Sequence, residues 1–230
     1  MIDLTNKIGI YEERMVPWLV RQDLYASHLI RYKWVNKYLS GRILDAGCSI
    51  GYGLEIISKN AKDIIGIELS KDIALFGKKK FKKDIINADV REIPFIDQSF
   101  DTVISFEVLE HIANQNDFLK EVVRVTNKNN GKFIVSTPWL RTNNWQNPHH
   151  VKELSLTDFQ NLLKEYFNKI QLYTQRQKNS ITAKILRRIN FFNPYFNVYF
   201  VPLIYKFTYE IVPIEFANND DIIIIAVCEF

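Results

Sequence analysis

The sequence is poor in several features that would place a protein in a specialised class. It has two cysteines among 230 residues, Cys48 and Cys228, which are too few for a disulfide framework and favour a reducing compartment. No apolar run is long enough to cross a bilayer, and no N-terminal stretch has the pattern of a signal peptide. The net charge of +4 is too small to indicate a nucleic-acid partner. We therefore expect a cytoplasmic protein that does not bind nucleic acid.

What the sequence does contain is a glycine-rich loop between two apolar segments. Residues 42–46 form a short apolar run that predicts a buried parallel strand, and Gly47-Cys48-Ser49-Ile50-Gly51-Tyr52-Gly53 follows it. Helical spacing over residues 54–59 and a second strand from Asp63 to Leu69 come next. The second strand carries a carboxylate, Glu68, about 20 positions past the loop, where ribose hydroxyls are usually bound. This order predicts a βαβ unit that binds a nucleoside.

Asp45 decides which nucleoside cofactor suits the loop. The glycine pattern is G-x-x-x-G-x-G rather than G-x-G-x-x-G, and no Gly-Lys-Ser/Thr is present to hold a triphosphate. A carboxylate directly before the first glycine would repel a pyrophosphate, whereas it suits a ligand that carries an ammonium and a sulfonium group. S-adenosyl-L-methionine is such a ligand.

Four motifs in order resemble the class I S-adenosylmethionine-dependent methyltransferase family: ILDAGCSIGYG, IIGIEL, INADVREIPF and FDTVISFEVLEHI. The resemblance covers roughly residues 40–140 and departs from the common pattern at Ser49, where members usually have glycine. It implies a Rossmann-like α/β fold with a seven-stranded, mostly parallel sheet, an antiparallel last strand and helices on both faces. It also implies S-adenosyl-L-homocysteine as the product of the cofactor.

The resemblance also implies which residues contact the cofactor. They are Asp45, Gly47, Cys48, Ser49, Gly51, Gly53, Glu68, Leu69, Asp89, Val90, Phe106, Glu107, Val108 and His111. Asp89 and the Val90 amide would meet the adenine edge, and Phe106 and Glu107 would lie beside the methionine portion. His111 either acts as a base or orients its own loop.

The chain is predicted to be a single methyltransferase domain over residues 1–230. Its parts are an N-terminal helix (16–40), the cofactor-binding core with an acceptor loop (41–177), an aromatic-rich insertion (178–219) and the last strand (220–230). Further helices are expected at 71–81, 116–125 and 156–167, and further strands at 84–88, 100–106, 132–137, 170–175 and 221–230.

The N-terminal helix should run from Trp18 to Leu39. One face should carry Leu24, His28, Arg31, Val35 and Leu39. Its sequence resembles the lead-in of a bacterial and archaeal subgroup of these methyltransferases whose members are often associated with glycan synthesis. The helix either closes over the cofactor or simply packs on the sheet.

Acceptor chemistry is expected in the long connection from Pro138 to Leu154. His149 or His150 could take a proton from an acceptor hydroxyl, because an unperturbed imidazole titrates near neutral pH. No carboxylate or third ligand follows at a useful spacing, so no metal site is predicted. The leading acceptor is a hydroxyl of a sugar or lipid-linked glycan. The alternatives are a quinone or phenolic small molecule, aminopropyl transfer, and a module that binds the cofactor without turnover.

The insertion combines arginines with many aromatic residues. This composition fits either a small satellite core or an exposed patch, and residues 184–209 would then give peripheral contact with a membrane or a lipid-linked substrate.

Overall fold

The computed structural model describes residues 16–17, 22–58, 61, 63–141, 147–185, 208–218 and 221–230. Eight strands form one sheet: β1 (Arg42–Ala46), β2 (Asp63–Glu68), β3 (Asp84–Asn87), β4 (Thr102–Phe106), β5 (Lys132–Pro138), β6 (Lys169–Gln177), β7 (Tyr209–Pro213) and β8 (Asp221–Glu229). The α-helices with defined bounds are α1 (Gln22–Trp34), α2 (Tyr52–Ile57), α3 (Lys71–Phe81), α4 (Gln115–Val125) and α5 (Leu156–Lys164).

The strand order is β3-β2-β1-β4-β5-β8-β6-β7. Strands β1 to β5 pair in parallel, and β8 runs antiparallel between β5 and β6. This arrangement confirms the predicted Rossmann-like α/β class with its antiparallel last strand. Parallel strands of this kind bring their carboxyl ends to one edge, where ligands of open α/β sheets bind.

The predicted number of seven strands is wrong, because β7 adds an eighth. It lies inside the aromatic-rich segment and pairs antiparallel with the outer edge of β6, from Tyr173 opposite Pro213 to Gln177 opposite Tyr209. The nine-residue β6 would otherwise present a row of unpaired backbone groups along that edge. Strand β7 was not predicted from the sequence because apolar and aromatic residues surround this five-residue strand. It therefore shows no alternation of apolar and polar residues that would set it apart.

Helix α1 begins at Gln22 in the described part of the chain, and a 3-10 turn (Val35–Lys37) extends it. Of the residues predicted to share one face, Arg31 and Val35 are buried and Leu24 is 45% exposed. Tyr25, Leu29 and Tyr32 are buried as well, at the i, i+4 and i+7 spacing of one helical face.

Two core clusters cover the two faces of the sheet. One joins residues of α1 and α2 to β1, β4 and β8, and the other packs α4 and α5 on the opposite face. No helix in the described part of the chain combines the length and apolarity needed to cross a bilayer. Residues 186–207, which hold most of the predicted aromatic patch, lie outside the described residues. Residues 1–15 also lie outside them, as does Trp145 of the predicted acceptor loop.

Candidate active site

The glycine-rich loop is fixed at the carboxyl end of β1 by the neighbouring strand. The N–H groups of Gly47 and Cys48 both donate to the carbonyl oxygen of Ile67 in β2, at 3.0 and 2.9 Å. The loop then turns through left-handed backbone angles at Gly47 (φ 86°), Ser49 (φ 51°) and Gly51 (φ 77°). Glycine adopts this region without strain, whereas Ser49 carries a side chain in it.

Asp45 ends up at the bottom of this loop with no exposed surface. The hydroxyl of Tyr32 donates to its Oδ2 at 3.0 Å, while its Oδ1 is buried without a hydrogen-bond partner. Burial raises the pKa of the Asp45 carboxyl to about 7, and the hydrogen bond from Tyr32 only partly opposes this effect. A buried carboxylate oxygen without a partner fits a cationic ligand.

Helix α1 lies directly on the glycine loop. A Cβ atom added to Gly53 would stand 2.2 Å from Cζ of Tyr32, so the ring of Tyr32 rests on the backbone of α2. The same ring packs edge-on against Tyr52 and Phe106, with centroids 5.4 and 5.1 Å apart. His28 bonds the hydroxyl of Tyr52 at 3.1 Å. Whether α1 also opens and closes over a cofactor stays a prediction.

The side chains expected to bind ribose and adenine follow β2 and β3. Glu68 is 7% exposed, and its Oε1 accepts from the N–H of Ser70 at 2.8 Å. The carboxylate of Asp89 accepts a forked pair of bonds from Arg91, whose Nη2 lies 2.6 Å from Oδ2. Arg91 also holds the pKa of Asp89 below its usual range. Leu69, by contrast, is exposed.

Two carboxylates of the segment after β4 are held by the end of β5. Glu107 has a left-handed backbone (φ 57°), and its Oε1 accepts from the hydroxyl of Ser136 at 2.7 Å. Glu110 is buried, and its Oε2 accepts from the hydroxyl of Thr137 at 3.1 Å. Burial and the nearby charge of Glu107 raise the pKa of Glu110 well above its ordinary value. Nothing in the local sequence pattern marks Ser136 or Thr137, since their role depends on which strand lies beside β4.

The histidines of the acceptor loop differ in their surroundings. His150 Nδ1 lies 2.5 Å from Oε1 of Glu153, and the side-chain N–H of Asn147 points to its Nε2 at 3.1 Å. Nδ1 therefore faces a hydrogen-bond acceptor, and Nε2 faces a hydrogen-bond donor. The His149 side chain is exposed, and its carbonyl oxygen lies 3.1 Å from Nδ1 of His111. His150 is therefore the better placed of the two for proton transfer.

His111 and His150 meet edge-on, with ring centroids 5.1 Å apart. Glu110 completes a group whose potential ligand atoms all lie within 4.8 Å of one another. Sequence spacing did not reveal this group, because its carboxylate comes from the segment after β4 rather than from the acceptor loop. Proximity alone does not establish a metal ion, and Thr137, His149 and Glu153 already bond these three side chains.

Comparison with known proteins finds relatives in one family and solved structures with a similar fold. The family described as "Methyltransferase domain" matches residues 44–135. A "probable S-adenosylmethionine-dependent methyltransferase" of Mycolicibacterium smegmatis is 30% identical over 168 residues, which cover 70% of this chain and 65% of that protein. A ubiquinone biosynthesis O-methyltransferase of Bradyrhizobium diazoefficiens is 33% identical over 100 residues, which cover 42% of this chain and 39% of that one.

Among solved structures, a Thermotoga maritima protein described as an S-adenosylmethionine-dependent methyltransferase and possible histamine N-methyltransferase superimposes with a TM-score of 0.66. It is 16% identical to this chain, and the match covers 92% of this chain and 91% of that one. At this identity the likeness supports the fold alone. The chain spans less than two thirds of the length of the mycobacterial relatives that it matches, at 65% and 58%.

Proposed function

We propose that this chain, which is similar to class I S-adenosylmethionine-dependent methyltransferases, transfers a methyl group from S-adenosylmethionine to a hydroxyl oxygen of a small-molecule acceptor. The observation that carries the proposal is a pairing at one sheet edge. Asp45 near the end of β1 offers a buried carboxylate oxygen without a partner, and a His–Glu pair able to accept a proton lies in the loop after β5.

The residues at the glycine loop fit the cofactor. The unpartnered Oδ1 of Asp45 would accept from the ammonium group, and Glu68 would accept from the two ribose hydroxyls. Asp89 has lone pairs left to accept from the adenine amino group, since each carboxylate oxygen accepts more than one bond. When bound, S-adenosylmethionine supplies an electrophilic methyl group on a sulfonium that is a good leaving group.

The acceptor side of the site has to handle one proton. An alcohol holds its proton too tightly to attack well at neutral pH, so a base within hydrogen-bond reach accelerates the reaction. Glu153 holds the Nδ1–H of His150, which leaves Nε2 to accept the acceptor's proton once the Asn147 amide gives way. The oxygen would gain the methyl group as the bond from that methyl to the sulfonium breaks, S-adenosylhomocysteine would leave with the electron pair of that bond, and the proton of the hydroxyl would move to Nε2.

For the acceptor itself, a sugar or lipid-linked glycan is the leading proposal. The resemblance of the N-terminal helix to the glycan-associated subgroup supports it. A quinone or phenol is the second candidate, since one relative is described as an O-methyltransferase of ubiquinone biosynthesis. A protein that binds the cofactor without turnover is the third.

The test is a panel of acceptors read out by release of S-adenosylhomocysteine. Glycans with free hydroxyls should give release above the no-acceptor rate, and demethylated quinones tested in parallel decide between the first two candidates. Calorimetry provides the binding control. If S-adenosylhomocysteine binds tightly but no acceptor leads to its formation from S-adenosylmethionine, a protein that binds the cofactor without turnover is favoured. If NAD binds more tightly than S-adenosylhomocysteine, the cofactor assignment is overturned.

A further inference from the structure

Arg31 of α1 is completely buried, yet only one of its three guanidinium nitrogens forms a hydrogen bond. None of its surface is exposed. Its Nη1 donates to Oε1 of Gln175 at 2.9 Å and, more weakly, to Oγ of Ser27 at 3.4 Å. Its Nε and Nη2 are buried without a hydrogen-bond partner, and among the described residues no carboxylate forms an ion pair with it.

The two unbonded atoms lie on the same edge of the guanidinium group. That edge is a planar fork of N–H donors that matches the paired oxygens of a carboxylate or a phosphate. A guanidinium stays protonated at every pH at which the protein folds, so this residue cannot escape its burial by losing its charge. A buried charge with an open fork is costly unless a partner arrives.

The charge of Arg31 acts on titratable groups on both sides of the site. On the cofactor side it helps to lower the pKa of His28, which bonds Tyr52 of the glycine loop. On the acceptor side it acts on Glu110, where it opposes the larger effect of burial.

We propose that Arg31 is an oxyanion-binding residue of the methyl-transfer site, and that its Nε and Nη2 bind the carboxylate or phosphate group of a reactant. This inference rests on the proposed function and deepens it. The oxyanion has two sources. One is the carboxylate of the cofactor's methionine portion, and the other is an acidic group on the acceptor.

Three variants test the proposal. Arg31→Met keeps the length and apolar stem but removes the fork, Arg31→Lys keeps the charge without the fork, and Lys33→Met removes a positive charge from the same helix as a matched control. Arg31→Met should fold with a thermal midpoint at least as high as that of the native protein, because it removes an uncompensated buried charge. Arg31→Lys provides a second folded variant if the methionine variant fails.

Calorimetry with S-adenosylhomocysteine and with 5′-methylthioadenosine, which lacks the amino-acid portion, tests the cofactor source. If the fork binds the cofactor, both Arg31 variants should bind S-adenosylhomocysteine about tenfold or more weakly, while methylthioadenosine binding is unchanged. Lys33→Met should match the native protein with both ligands.

If the fork binds the acceptor, S-adenosylhomocysteine affinity is unchanged in all three variants. Sodium phosphate or sodium acetate should then raise the thermal midpoint of the native protein and of Lys33→Met, relative to chloride at equal ionic strength. Neither salt should do so for Arg31→Met. The proposal is overturned if the Arg31 variants match the native protein in both affinity and salt response. A native protein that fails to bind S-adenosylhomocysteine would sink the proposed function separately, because the salt response of ligand-free protein still reports on Arg31.

Discussion

Ser49 shows how one residue can carry two unfavourable features at a functional loop. Its backbone lies in the left-handed region at φ 51°, where a side chain is strained, and its Oγ is buried without a hydrogen-bond partner. Glycine would remove both features. The serine therefore makes the loop less stable than a glycine at position 49 would.

Ser49→Gly should raise the free energy of unfolding by about 1 kcal/mol, since it relieves the left-handed strain and the unpaired hydroxyl together. Urea unfolding of the ligand-free protein measures the change. Lys82→Gly is the matched control, because Lys82 has a similar backbone angle (φ 52°) on an exposed side chain. The gain at Ser49 should exceed the gain at Lys82, and a loss of stability at Ser49 alone would show that its hydroxyl does useful bonding.

At the scale of elements, the contact between α1 and α2 sets the shape of the glycine loop. Gly53→Ala would bring a methyl group within 2.2 Å of the Tyr32 ring. The gain in helix propensity is about 1 kcal/mol, but overpacking typically costs about 1–3 kcal/mol, so we expect a net loss of stability.

A double-mutant cycle with Tyr32→Leu isolates that contact. The two single changes should each destabilise the protein, and the double variant should lose less than their sum because the smaller side chain accommodates the new methyl group. Additive losses in urea unfolding would mean that the ring is not what excludes a side chain at position 53.

The acceptor loop carries a prediction about chemistry. His150→Ala should lower turnover about 10²-fold or more, the usual contribution of a general base, while S-adenosylmethionine affinity stays near that of the native enzyme. Glu153→Gln should lower turnover less, because the imidazole keeps its place but loses its carboxylate partner. His149→Ala is the control, since its side chain is exposed.

If His149→Ala and His150→Ala both keep turnover within a few fold of the native value, neither histidine of this loop is the general base. That result would point to an acceptor that is already nucleophilic, such as an amine, a carboxylate or an acidic phenol. It would leave the cofactor assignment untouched.

Several elements were predictable from the sequence because their signals are local. The bounds of β1 and α3 match the predicted ones, since a glycine stops the strand and the Ser70 side chain caps the helix. The predicted end of α5 at Phe167 was too late, as the helix ends at Lys164. Phe167 is nevertheless buried, so the apolar spacing marked the core face rather than the helix end.

At the scale of the whole molecule, the features that the sequence missed are the ones that depend on distant partners. Tyr32 reaches Asp45 from a helix before β1, and Ser136 reaches Glu107 from the neighbouring strand. Nothing in the local pattern of either hydroxyl predicts its partner. The motifs located the sheet edge, but the fold decides which side chains meet there.

Protonation of Asp45 links the site to the stability of the entire fold. Its ordinary pKa of 3.8 rises to about 7 on folding, so the unfolded chain ionises first as the pH rises. Below about pH 4 both states hold the proton, and this stabilising contribution is fully present. Between about pH 4 and pH 7 it is progressively lost, by at most about 4 kcal/mol.

Burial lowers the pKa of His28, so His28 has the opposite effect on the pH dependence of stability. Its contribution to the stability of the folded protein is lost as the pH falls below 6.5, the ordinary pKa of histidine. The difference between native protein and Asp45→Asn isolates the carboxyl. Without ligand, the stability of Asp45→Asn relative to the native protein should increase as the pH rises from about 4 to about 7. Urea unfolding of both proteins at each pH measures this difference.

The same variant should lose the pH dependence of cofactor binding. In the native protein, a cationic ligand favours ionised Asp45, so S-adenosylmethionine affinity should rise as the pH approaches and passes about 7. Asp45→Asn should bind more weakly and with a flatter pH profile in calorimetry. Parallel stability curves for the two proteins, together with equal affinity at pH 8, would show that Asp45 is not the carboxylate that meets the cofactor.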